Sequence, residues 1–154
     1  MMITCTRKLT FETGHRVFGH ESKCAHFHGH SYKAFITAQA PQLDSCGRII
    51  DFSVLKQLIG GWIDSEWDHG FLLWEKDPAV TLLYNFAISY KGKPDAMQKL
   101  FCLPYVPTAE NIARYLLEVV CPRLLNGTGV VVTAVKIDET ENCSATATLS
   151  EIRG

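Results

Sequence analysis

The chain is short of the features that mark a membrane protein, a secreted scaffold or a nucleic-acid binder. No apolar run approaches the roughly 18 residues of a membrane helix. The N-terminal stretch lacks the apolar core of a signal peptide, so the expected location is the cytoplasm. There is no surplus of positive charge: 15 Lys and Arg face 16 Asp and Glu, with a pI near 6.6. That balance excludes a general attraction to nucleic acid or to anionic membranes and leaves room for specific recognition of a small anion. There is no Cys-x-x-Cys. Six cysteines at 5, 24, 46, 102, 121 and 143 are scattered, which argues against a disulfide framework and for small buried apolar side chains, Cys24 excepted. Repeats, low-complexity tracts and Gly/Ser linkers are missing too. With 154 residues, 47% of them hydrophobic, a single domain spanning 1–154 is expected.

What the chain does have is a set of histidines in ligand spacing. In Cys24-Ala25-His26-Phe27-His28-Gly29-His30, alternate residues of a strand share a face, so His28 and His30 aim two imidazoles at one point. His15 ends an alternating stretch with Ile3, Cys5, Leu9 and Phe11 at odd positions, and a short loop folds it back beside the strand running on from His28. Three nitrogen ligands without a fourth protein ligand make the open, catalytic type of zinc site, whereas Cys24 as a fourth ligand would make a closed structural one. A His-x-His oxygenase of the cupin kind needs an acid shortly afterwards, and Ser31 to Ala40 contains none. His20 and His26 have no matching role and read as solvent-facing or supporting groups.

The coarse pattern is strand, strand, helix, helix, helix, strand, strand. The second strand, about 28–40, ends at Pro41. Asp51 and Ser53 cap a helix whose apolar side is Phe52, Leu55, Leu58, Ile59, Trp62 and Ile63, stopping before Trp67-Asp68-His69. Asp77-Pro78 opens a second helix that Lys91-Gly92-Lys93-Pro94 breaks, and Pro107-Thr108-Ala109-Glu110 starts a third. Strands at 130–139 and 144–152 close the chain. The polar face of Ser144, Thr146, Thr148 and Ser150 predicts an α+β arrangement with helices on one side of the sheet, and open edges predict an oligomer.

These residues, in order, carry a resemblance. Phe11-Glu12-Thr13-Gly14-His15-Arg16, Cys24-x-x-x-His28-Gly29-His30, Gly47-Arg48-Ile49-Ile50-Asp51-Phe52, Asp68-His69, Pro107-Thr108-Ala109-Glu110-Asn111 and Glu139-Thr140 resemble the signatures of the 6-pyruvoyl-tetrahydropterin synthase and 6-carboxytetrahydropterin synthase family. The resemblance implies the tunnelling fold, in which four-stranded antiparallel sheets join into a trimeric barrel and two trimers stack into a homohexamer. It implies Zn2+ as cofactor, 7,8-dihydroneopterin triphosphate as small-molecule substrate, and active sites at subunit interfaces. His15, His28 and His30 match the zinc ligands, Cys24 the catalytic cysteine, Asp68 and His69 the relay pair, and Glu139 the carboxylate that anchors the pterin. Thr108 matches a threonine near the pterin and is equally well read as a helix N-cap; Asp68-His69 alone would read as helix-end caps.

The spacing of Cys24 to His28 is similar to that of the carboxy-forming type, which yields 6-carboxy-5,6,7,8-tetrahydropterin, acetaldehyde and triphosphate for queuosine precursor synthesis. The alternatives are the pyruvoyl-forming enzyme and a non-catalytic zinc or pterin module, which would need neither Cys24 nor Asp68-His69. One segment, about 75–102, falls outside the resemblance and reads as an insertion.

Overall fold

The computed structural model describes residues 2–89 and 98–149. Two long strands, β1 (Cys5–His15) and β2 (His28–Gln39), form an antiparallel ladder with continuous register from Cys5↔Ala38 to His15↔His28. Their alternation shows in the burial: Leu9, Phe11, Thr13 and His15 of β1 and Tyr32, Ala34, Ile36 and Ala38 of β2 are buried, while the residues between them are mostly exposed or half-buried. After β2 the chain runs through α1 (Phe52–Leu55), a π-type turn (Lys56–Gly60) and α2 (Gly61–Glu66), one continuous helical stretch. The Asp51 carboxylate accepts from the Ser53 N–H at 2.8 Å and caps it, as its sequence position predicts. At Gly60 the helix approaches β1 closely: a Cβ there would stand 3.1 Å from Leu9 Cδ2.

Next come β3 (Gly70–Trp74), α3 (Ala79–Ser89) and β4 (Leu100–Leu103). The second long helical stretch follows as α4 (Ala109–Tyr115), a π-type turn (Leu116–Val120) and α5 (Cys121–Leu124). Strands β5 (Val131–Asp138) and β6 (Ser144–Thr148) complete the sheet, whose order is β4-β3-β1-β2-β5-β6. Leu55, Ile59, Ile63, Ile112, Leu116 and Val120 of the two helical stretches meet Leu9, Phe11, Tyr32, Ile36, Val135 and Ile137 of the sheet in one core. The α+β class stands.

The sheet itself differs from expectation. Among the described residues it has six strands, not four, and it is mixed. The four expected antiparallel strands are β1, β2, β5 and β6; β3 pairs parallel to β1 over Thr13–His15, and β4 pairs parallel to β3. Gly-Phe-Leu-Leu-Trp and Leu-Phe-Cys-Leu are short apolar runs without alternation, and such runs carry no period that separates strand from helix. Phe101 explains why β4 stays: its ring packs edge-on against Trp62, Trp67 and Tyr115, with centroids 5.6 to 5.9 Å apart. The predicted helix after Asp77-Pro78 is present as α3, but its predicted break at Lys91-Gly92-Lys93-Pro94 lies outside the described residues, as does the strand predicted for 150–152. No helix among the described residues is long and apolar enough to cross a membrane.

Candidate functional site

The ladder register builds a cluster of imidazoles at the end of β1 and the start of β2. His15 stands opposite His28 and Thr13 opposite His30, so all three histidines lie on the helix-covered face. One ligand atom from each falls within 4.8 Å of the others, and the Nε2 atoms of His15 and His28 are 3.1 Å apart. Backbone carbonyls set the tautomers. Nδ1 of His15 faces the Pro107 carbonyl at 2.8 Å and Nδ1 of His28 faces the His26 carbonyl at 2.8 Å, so each Nδ1 carries the proton and each Nε2 is a bare lone pair. His30 Nε2 is buried without a partner.

His15, 1% exposed, resists protonation: burial pushes its pKa down to about 4, and the neighbouring His28 and His30 push the same way, against the Pro107 carbonyl. Two facing lone pairs and an orphaned third nitrogen repel one another until a cation sits between them. The donor set therefore fits a zinc ion with three imidazole ligands and an open fourth position. The sulfur of Cys24 is not part of this donor group.

Three further groups surround the cluster. Tyr32, two residues after His30 on the same face, is 0% exposed, and its hydroxyl lies 3.2 Å from His15 Nε2. Burial raises its pKa most, and the Glu139 carboxylate pushes the same way. Glu139, just past β5, brings Oε1 to 3.7 Å from His30 Nε2. Cys24 sits half-buried on a short 3-10 turn (Lys23–Ala25) whose position is tied down by the Val17 N–H donating to the Cys24 carbonyl at 2.8 Å.

Asp68 and His69 form a pair of their own. His69 Nδ1 and Asp68 Oδ2 are 2.6 Å apart, and the other Asp68 oxygen accepts from the Glu12 N–H at 2.7 Å. Burial alone would raise the Asp68 pKa; the Glu12 N–H, the His69 ring and Lys99 overcome it and hold the carboxyl below its usual range. His69 adopts a left-handed backbone (φ 56°), which turns the chain from α2 into β3 and is pinned by the His69 N–H to Glu12 carbonyl bond at 2.6 Å.

The side chain of His69 is 78% exposed. It borders an open cleft of about 280 Å³ together with Glu12, Thr13, Gly14, Gly29, His30, Ser31 and Gly70, so the cleft is shared between the pair and one member of the cluster. The backbone of His69 is tied to Glu12, whose side chain alternates with those of Thr13 and His15 on β1, so the exposed pair lies on the other side of the strand from buried His15.

Thr108 is the N-cap of α4: its hydroxyl accepts from the Asn111 N–H, at 3.3 Å. The same turn holds His15 through the Pro107 carbonyl. His20 accepts from the Ser22 N–H, and His26 contributes its carbonyl to His28, both supporting roles.

Two participants escaped the sequence reading. Tyr32 looks like a core residue in an alternating strand; its only signal is a polar tip at two-residue spacing from His30. Arg16, next to His15, pairs through two nitrogens with Asp77, whose side chain is 1% exposed, and its guanidinium lies over Phe18 and Phe27 at 5.3 and 5.1 Å. An ion pair between residues so far apart in sequence leaves no periodic trace.

The chain has clear relatives. Residues 4–150 match the family profile of 6-pyruvoyl tetrahydropterin synthase. A Rickettsia bellii protein named 6-carboxy-5,6,7,8-tetrahydropterin synthase is 39% identical over 142 residues, covering 92% of this chain and 97% of its own. An Aquifex aeolicus protein of the same name is 28% identical over 134 residues, 77% of this chain and 79% of its own. Among solved structures, an uncharacterized Wolinella succinogenes protein superposes with a TM-score of 0.82 at 25% identity, covering 97% of this chain and 99% of its own. The Caenorhabditis elegans 6-pyruvoyl tetrahydropterin synthase shares the fold with a TM-score of 0.66 at 21% identity, covering 97% of each chain. With the profile spanning nearly the whole sequence and this level of identity to full-length relatives, the chain belongs to the 6-pyruvoyl tetrahydropterin synthase family.

Proposed function

We propose that this protein is a zinc-dependent lyase that converts 7,8-dihydroneopterin triphosphate to 6-carboxy-5,6,7,8-tetrahydropterin, acetaldehyde and triphosphate, in the cytoplasm and toward a queuosine precursor. The observation that carries the reading is the convergence of three imidazoles, two of which, His15 and His28, have Nδ1 tied to a backbone carbonyl so that Nε2 is turned toward the centre. The names of the Rickettsia and Aquifex relatives support the carboxy-forming branch over the pyruvoyl-forming one. His15, His28 and His30 would hold the ion, which supplies Lewis acidity toward the hydroxyls of the substrate side chain.

The remaining work falls to the chain's own residues. Glu139 offers two oxygens to parallel N–H donors of the pterin ring and sets its orientation beside the histidines. Cys24 is, in this reading, the group that takes a proton from the substrate side chain. Asp68 holds Nδ1 of His69, which leaves Nε2 to pass protons. Thr108, as the cap of α4, supports the Pro107 carbonyl that orients His15, and a direct pterin contact is its second role in this reading.

Because His69 faces away from the cluster, its partner Cys24 belongs to another copy of the chain, and the site is completed only in an assembly. Edge strand β6 and the part of β1 not covered by β3 are the edges through which copies would join in this reading, first as a trimeric barrel and then as a homohexamer, with β4 ending the sheet beyond β3. The segment about 75–102, read as an insertion in a single domain of 1–154, carries α3 and the start of β4, which adds to the sheet beside β3.

Mass spectrometry of products from zinc-loaded protein and 7,8-dihydroneopterin triphosphate tests the function. 6-Carboxytetrahydropterin with acetaldehyde is the expected result. 6-Pyruvoyltetrahydropterin would move the protein to the other branch, and no turnover by folded, metallated protein would leave a binding module.

A further inference from the structure

The loop that carries Cys24 has no foothold of its own in the core. It leaves β1 after His15 and enters β2 at His28, and none of its residues 16–27 is buried. Its two phenyl rings, Phe18 and Phe27, are 39% and 44% exposed. A segment with so little buried surface opens at low cost in free energy. Arg16, at its start, supplies the missing hold. Nε of Arg16 donates to Asp77 Oδ2 at 2.7 Å and Nη2 donates to Oδ1 of the same carboxylate, which is 1% exposed. Such a two-point, charge-assisted pair fixes direction as well as distance. The guanidinium carbon lies 5.3 Å from the centre of the Phe18 ring and 5.1 Å from that of Phe27, one ring from each end of the loop. Phe18 also meets Trp74 and Phe27 meets Phe71, centroids 5.8 and 5.4 Å apart, so β3 backs both rings. Between the two ends the Val17 N–H donates to the Cys24 carbonyl at 2.8 Å, so the residue after Arg16 grips the backbone of the cysteine.

We propose that Arg16, locked by Asp77, is a positioning residue for Cys24: it clamps both ends of the loop 16–27 and so sets where the thiol stands. The inference rests on Cys24 being the proton-transfer group. Asp77 is itself fixed from the far side, its Oδ1 accepting from the Ala79 N–H at 2.8 Å at the start of α3 and its own N–H donating to the Trp74 carbonyl at 2.9 Å. Asp77 lies between Asp68-His69 and Pro107-Thr108, where no motif of the resemblance falls, so a part of the chain without such motifs braces the cysteine. Lysine at position 16 would keep a charge beside the buried carboxylate but would offer neither two parallel N–H donors nor a flat face for the rings. Arg16→Lys therefore loosens the clamp without stranding Asp77 as an unpaired buried charge.

The test combines amide hydrogen exchange, read by mass spectrometry, with steady-state turnover of 7,8-dihydroneopterin triphosphate. It uses full-length, zinc-loaded wild type, Arg16→Lys and Asp77→Asn, each also in a Cys24→Ala background. Peptides covering 16–27 are expected to exchange about tenfold faster in Arg16→Lys and Asp77→Asn, while those of β1 and β2 stay within about twofold. Zinc content is expected to be unchanged, and kcat to fall about tenfold with KM within about twofold. In the Cys24→Ala background the same substitutions are expected to cost less than about twofold further, because a clamp of this kind acts only through the thiol it positions. Unchanged exchange in the loop, or faster exchange with undiminished turnover, overturns the positioning role. Loss of zinc, or an equal fall in kcat in the Cys24→Ala background, shows that Arg16 acts through His15 or the fold at large and overturns it too. Wild-type turnover by Cys24→Ala, or none by the wild type, overturns the reading of Cys24 itself and the positioning role with it, whatever the loop does.

Discussion

Two kinds of histidine occupy the two faces of β1 and β2. On the helix-covered face His15 is 1% exposed, kept neutral by burial, and fixed by the carbonyl of a turn distant in sequence. On the open face His69 is 78% exposed, set on a left-handed residue, and fixed by the carboxylate beside it in sequence. The three imidazoles of the first kind converge within one chain, with one ligand atom of each within 4.8 Å of the others. The exposed pair is oriented and opens onto a solvent-filled cleft. Burial therefore separates a set of converging imidazoles from an oriented, solvent-facing pair, and each side of this contrast can be broken on its own.

Replacing a member of the buried set should abolish both binding and chemistry. His28→Ala is expected to lose stoichiometric zinc, read by elemental analysis, along with turnover. Cys24→Ala and His69→Gln should each keep zinc while turnover falls about 10³-fold, as for loss of a proton-transfer group. A zinc loss in Cys24→Ala would return Cys24 to the ligand set. Mixing those two variants under conditions that exchange subunits sharpens the contrast further. If the exposed pair serves a neighbour, a 1:1 mixture regains about a quarter of wild-type activity, because chance pairing joins an intact Cys24 to an intact His69 at that frequency. No recovery in demonstrably mixed assemblies would place both groups in one chain's site.

A smaller effect concerns the ion pair behind the cluster. Burial by itself raises the Asp77 pKa, but Arg16 and the Ala79 N–H more than reverse this, so its folded value is depressed. The stability it contributes is therefore present above the unfolded carboxylate pKa of about 3.9 and is lost as pH falls through the lower folded value. Asp77→Asn should lower the melting temperature at pH 7 and flatten its fall below pH 4; an unchanged acid limb would contradict the depressed pKa. The smallest change is on the open face. At Gly14 an added Cβ would stand 2.4 Å from Phe71 Cε1, so Gly14→Ala should cost about 2 kcal/mol in denaturant unfolding, while zinc content stays the same.

The cluster was readable in advance because its geometry follows from strand alternation. A two-residue step puts His28 and His30 on one face, and a hairpin-like return puts His15 opposite them. The caps at Asp51 and Thr108 were equally local, since each side chain bonds a backbone N–H two or three residues away. The short strands β3 and β4 were not readable, because Gly70–Trp74 and Leu100–Leu103 have no alternation and owe their form to parallel partners and to the Phe101 contacts. Tyr32 was hidden for a different reason: a tyrosine in a buried strand position looks the same whether its hydroxyl meets water or an imidazole.

The sequence by itself determined the histidine set, the helix starts and the antiparallel ladders, and through its ordered motifs the family. Those features depend on neighbours within a few residues or on simple periodicity. Only the tertiary structure decided which nitrogen of His15 and of His28 is bare, that Tyr32 meets His15 and Glu139 approaches His30, and that His69 faces solvent. These depend on carbonyls and side chains brought together from distant parts of the chain, and packing, not local propensity, sets where they meet.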